Sequence, residues 1–187
     1  VSPGLVASKA HEFTGSTRVV PGHFSAEQAA GVKNWAPLAE ALRASASRVV
    51  ADLGRIHSSS PTIPVAAAAD IVVMVTRPEV GAVKHLIDRL ERLAPVLAHI
   101  RNAPPVIVPV VVTPKRFAGS VVEHIGQMLA PSSAAGVIAG IGWIALDPAG
   151  VDAMHAGQVG GKNARTPLMR SAGVLNDQIS QAEGVAP

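Results

Sequence analysis

The chain contains no cysteine and no tyrosine, and only 3% of its residues are aromatic. Without thiols there is no disulfide, no zinc–cysteine site and no thiol nucleophile. A cysteine-free composition fits a cytoplasmic protein, and that is the expected location. Long apolar runs are missing too. Despite a mean hydropathy of +0.33, no uninterrupted stretch approaches the ~20 residues a membrane-spanning helix needs. The longest candidate, residues 104 to 113, contains three prolines and has the length of a strand. At the N-terminus no basic region precedes a long apolar core, so no signal peptide is legible. Charge of one sign is also scarce: 16 basic and 13 acidic residues leave a formal +3, too little to mark a nucleic-acid binder.

What remains is apolar and small-chained. Hydrophobic residues make up 48% of the 187, mostly Ala and Val, as suits strands buried on both faces beneath alanine-rich helices. The length allows one α/β domain or most of a larger one. Residues 1–16 show no sustained period and are expected as a frayed lead-in, with a single domain over 17–187. Arg18 to Gly22 has the pattern of a short strand closed by a Pro-Gly turn. Ser25 and Gln28 form a capping-box pattern for a helix to about Ser45, with Val32, Trp35, Leu38 and Leu42 at helical spacing and a kink at Pro37. A strand over Arg48–Leu53, a Ser/Pro loop and a short Ala-rich helix to Ala69 follow. Ile71–Thr76 is the next strand. Pro78-Glu79 opens an amphipathic helix whose inner face is Val83, Leu86, Ile87, Leu90, Leu93 and Leu97. Val106–Val112 is a further strand, which Pro109 assigns to an edge or a bulge. Val121–Leu129 reads as helix, Gly136–Leu146 as the last strand, and Thr166 to about Ala182 as the final helix.

Short strands alternating with longer helices predict an α/β fold, a mainly parallel sheet covered by helices on both faces. Right-handed crossovers gather the carboxyl ends of such strands on one edge, where ligands bind. Gly22, Asp52, Thr76, Thr113 and Asp147 are expected there. A carboxylate at a strand tip, followed by glycine and a loop, suits a nucleotide-phosphate or magnesium switch, and Asp52-Leu53-Gly54-Arg55 has that form. The plainer alternative is a carboxylate capping the loop that follows it. Arg77 is open to an anion or to a salt bridge with Asp70 or Glu79. Arg89, Arg92 and Arg101 read as a solvated face, with DNA or anionic lipid as the sharper alternative. Seven scattered histidines form no metal-binding frame, and Ser58 to Ser60 form no nucleophile elbow.

Over roughly residues 17–182 the chain resembles the ParA/MinD-type P-loop ATPases, particularly their actinobacterial MinD-like relatives. The resemblance is carried by Val20-Pro21-Gly22 and by Asp52-Leu53-Gly54-Arg55. It is carried also by Ala69-Asp70 with Thr76-Arg77-Pro78-Glu79, by Ala145-Leu146-Asp147-Pro148 with Gly157, and by Thr166-Pro167-Leu168. It implies an incomplete P-loop NTPase-like fold and ATP hydrolysis coupled to dimerisation, used to position DNA, septa or secretion machinery. By the same likeness Asp52 is the catalytic switch that holds magnesium through water, and Gly54, Arg77, Asp147 and Pro148 bind the nucleotide.

Three departures qualify the likeness. Thr113 stands where the family often has an adenine-reading Asn, and glycine comes one position early after Asp52. More seriously, no lysine-containing phosphate loop is present. Gly157-Gln158-Val159-Gly160-Gly161-Lys162 is a decoy, since the frame's first glycine falls on Ala156 and its last position on Asn163. ATP and magnesium are therefore expected only if a phosphate loop is supplied, and otherwise no cofactor. The chain is expected as a fragment or a degenerate member, a homodimer or in complex with a missing N-terminal segment. DNA or a membrane-associated protein is the partner the family implies. A non-catalytic scaffold that keeps the family's dimer surface is the alternative.

Overall fold

The computed structural model describes residues 1–14, 17–22, 31–158 and 160–184. Residues 17–187, expected as one domain, are grouped by their contacts, together with the N-terminal segment, into two compact units. These are Val1–Ala69 with Val96–Ala103, and Asp70–Pro95 with Pro104–Pro187.

In the first unit a helix and a strand form within residues 1–14, where a frayed lead-in is expected. The Ser2 hydroxyl accepts the Leu5 N–H at 3.3 Å and caps α1 (Pro3–Ser8). β1 (His11–Thr14) and β2 (Thr17–Val19) pair antiparallel as a two-stranded ribbon. The strand expected before Gly22 therefore belongs to this ribbon, and Gly22 does not end a strand of the parallel sheet. Ser25 and Gln28 lie outside the described residues. α2 (Ala36–Arg43) has proline in its first turn. Pro37 therefore opens a helix instead of kinking one, because a first-turn N–H has no intrahelical partner to lose. Val32 and Trp35 precede it.

No strand forms over Arg48–Leu53. Val49 and Val50 are 43% and 92% exposed, so the run has no buried face to pack as a strand. α3 (Ile63–Ala68) buries Ile63, Val65, Ala66 and Ala67. Its last carbonyls are met by Arg101, whose Nη1 donates to Ala67 O at 3.1 Å and to Ala69 O.

The second unit holds the parallel sheet: β3 (Ile71–Thr76), β4 (Val106–Thr113) and β5 (Gly142–Ala145), in the order β3-β4-β5. α4 (Val80–Arg101) connects β3 to β4, its residues 80–95 belonging to this unit. Its first hydrogen bond runs from Val83 N–H to Glu79 O. Val83, Leu86, Leu90 and Leu93 are buried as the 3.6-residue period requires. α5 (Ala118–Leu129) connects β4 to β5, and α6 (Pro148–His155) and α7 (Pro167–Glu183) follow.

β4 is central and buried on both faces, so of the two placements expected for Pro109 the edge is excluded. The one-residue irregularity between the Ile107–Ile138 and Val110–Gly142 pairs is in line with the bulge. The missing donor is tolerated for a local reason. Ile107 O accepts Ala139 N–H and Thr113 O accepts Leu146 N–H, so alternate residues 107, 109, 111 and 113 turn their backbone toward β5. Opposite Pro109 the ladder is interrupted: after the Ile107–Ile138 bridge, pairing resumes at Val110–Gly142. Gly140, at φ +102, carries the chain through that gap. β5 is accordingly four residues long, not the eleven between Gly136 and Leu146, because glycines at 136, 140 and 142 weaken strand propensity.

Coverage on both faces holds for β4 but not for β3, where Val73 and Val75 are 41% and 66% exposed. At the other edge strand α7 covers β5 by a specific contact. Ser171, buried, accepts the Ala145 N–H at 2.9 Å and donates to Leu168 O at 2.8 Å. Ser171→Ala strands that buried strand amide and should cost about 1–3 kcal/mol in urea unfolding. An unchanged midpoint would mean that water reaches Ala145.

Candidate functional site

The three parallel strands of the second unit turn their carboxyl ends to one edge. Register fixes the stagger: Thr76 lies level with Val111, and Ala145 with Thr113. Thr76 and the Ala145-Leu146-Asp147 turn thus leave from either side of β4, about 10 Å apart across two strand spacings. Thr76 donates its hydroxyl to Arg77 O at 3.2 Å. Arg77 is exposed and, among the described residues, forms no ion pair with Asp70 or Glu79. Thr113 is buried, and its carbonyl accepts Leu146 N–H at 3.0 Å.

Asp147 is held by backbone. It is the N-cap of α6, with Oδ1 accepting Gly150 N–H at 3.1 Å, while Oδ2 accepts Leu168 N–H in the first turn of α7 at 3.2 Å. One carboxylate thus satisfies orphan amides on two helices, where a negative charge also complements both helix dipoles. Gly150 is required beside it, because an added Cβ would stand 2.6 Å from Asp147 Oδ2. Pro148 is the exposed first residue of α6.

Asp52 and Gly54 belong to the first unit. Asp52 is exposed, and its Oδ1 accepts Gly54 N–H at 2.9 Å, an Asx turn closed by Gly54 at φ +59. The glycine one position early is thereby accounted for, since the turn needs a left-handed residue there. The local geometry is the plainer of the two expected arrangements, a carboxylate capping its own loop. Its position at a strand tip is corrected by the absence of the strand.

Gly157 accepts the left-handed conformation (φ +73) just after α6, donating to Met154 O at 2.9 Å, and Lys162 is exposed. The decoy thus begins as a helix C-cap. Arg92 pairs with Asp88 at 2.9 Å and Arg101 serves α3, so two of the three arginines expected on a solvated face are engaged within the chain. Among the described residues no group of three or more His, Asp or Glu is arranged to hold a metal ion. No described helix is long and apolar enough to cross a membrane.

A cleft beside β5 brings together Lys115, Trp143, Arg165 and Arg170. None of these stands out in the sequence, since they come from three separate segments. The only local signal is the i, i+4 spacing of Arg170 and Val174 on α7. No family model, curated protein or solved structure matches the chain.

Proposed function

We propose that the chain is a ParA/MinD-like module for nucleotide-dependent positioning or partitioning that has no phosphate cradle of its own. The observation that carries this reading is the parallel order β3-β4-β5, which brings Thr76-Arg77, Thr113-Pro114 and Asp147-Pro148 to one sheet edge. Ligands of doubly wound sheets bind at such edges. Phosphoryl transfer requires a phosphate cradle, magnesium and an oriented water. The resemblance assigns the magnesium switch to Asp52 and nucleotide contacts, each within its own unit, to Gly54 and to Arg77, Asp147 and Pro148. Attached to a phosphate-loop segment, the chain should hydrolyse ATP, and Asp52→Ala should abolish turnover. The fold should survive, because Asp52 is exposed. Undiminished turnover in that variant removes Asp52 from the switch.

The non-catalytic scaffold is favoured by a separate observation, the exposed Val73 and Val75 on β3. Uncovered apolar strand surface is a docking liability unless another chain covers it. Light scattering should then give a homodimer or a complex. A clean monomer at high concentration counts against this second reading.

A further inference from the structure

The cleft beside β5 has a volume of about 200 Å³ and is walled by Trp143, Pro167 and Val174, with Lys115, Arg165 and Arg170 at its polar side. No carboxylate lines it. Among the described residues none of the three cations makes an ion pair or a side-chain hydrogen bond. Lys115, Arg165 and Arg170 are exposed, and like charges gathered at one small concavity raise its potential and draw in an anion. Two guanidinium groups and an ammonium match the oxygens of a phosphate, the former through paired N–H donors. Trp143 lines the same cleft, and an indole is a surface on which a flat ring can stack.

Neighbouring polar groups are already engaged. Ser171 at the wall is committed to Ala145 and Leu168, and the first amides of α7 are taken by Asp147 and Thr166. Anion binding therefore falls to the three side chains and not to the helix terminus. Size narrows the ligand further. The cleft lies below the roughly 300–1,000 Å³ of drug-sized sites, which suits one ring with one phosphate.

We propose that this cleft binds a small aromatic phosphate monoester, its ring on Trp143 and its phosphate between Lys115, Arg165 and Arg170. The proposal is independent of the nucleotide reading. Phenyl phosphate is the probe, with inorganic phosphate and phenol as controls, followed by calorimetry and by the indole N–H resonance of Trp143. Phenyl phosphate should bind about tenfold more tightly than inorganic phosphate, a difference of about 1.4 kcal/mol, and should shift that resonance. The double variant Arg165→Gln/Arg170→Gln should weaken it by at least about tenfold. Trp143→Leu should reduce it to the affinity of inorganic phosphate. Should Trp143→Leu not fold, the arginine variant, altered only at exposed positions, still decides. Equal affinity for phosphate and phenyl phosphate, an unmoved indole resonance, or binding indifferent to the arginine substitutions would overturn the proposal.

Discussion

Replacing Asp147 with alanine should destabilise the second unit by about 2 kcal/mol, twice the usual loss for one helix cap. The magnitude follows from the two amides the carboxylate accepts, Gly150 N–H at 3.1 Å and Leu168 N–H at 3.2 Å. Both become orphans at once, and α6 and α7 lose the charge that joins their N-termini. Asp147→Asn should cost about half as much, because its one oxygen can serve only one of the two amides. Gly150→Ala should act in the same direction by pressing a methyl group against Oδ2. Urea unfolding of the three variants provides the comparison. If Asp147→Ala were neutral, the double cap would carry no stability.

Gly142→Val should cost about 3 kcal/mol by overpacking. α7 approaches β5 closely at this glycine: an added Cβ would lie 2.5 Å from Leu175 Cδ1, 3.2 Å from Gln178 Oε1 and 3.3 Å from Val110 Cγ2. The nearest of these is the end of a flexible side chain, which predicts partial rescue. Gly142→Val combined with Leu175→Ala should be less destabilised than the sum of the two single changes, with a coupling of about 1 kcal/mol or more. Strict additivity would show that the helix has moved away from the strand, and the Ser171–Ala145 bond should then be lost as well.

Legibility in the sequence followed the strength of local signals. β3, β4, α4, α5 and α7 were readable because long apolar periods bury Val83, Leu86, Leu90 and Leu93 on one side and nearly all of β4. Arg48 to Leu53 was misread because a short Val-rich run is extended-looking by composition alone. Strand formation also needs a neighbouring strand, and position along the chain does not supply one. Pro109 misled only as to the edge, for the opposite reason. Its missing donor mattered only on the side facing β5, where the ladder is interrupted, and that pairing is a tertiary property. Asp147 was singled out by its place after the last strand, yet the amide of Leu168 comes from 21 positions further on. The cleft at Trp143 was illegible altogether, since its three cations converge only once α7 packs on β5.

The most direct test of the missing phosphate cradle is calorimetric titration of ATP, with and without magnesium, into residues 1–187. A phosphate loop supplies most contacts to the β- and γ-phosphates. Without one, magnesium-dependent binding should be weaker than about 1 mM. Any heat that persists without magnesium and vanishes in Arg165→Gln/Arg170→Gln belongs to the cleft beside β5. Magnesium-dependent ATP affinity of about 1 μM, retained in the arginine variant, would contradict the account.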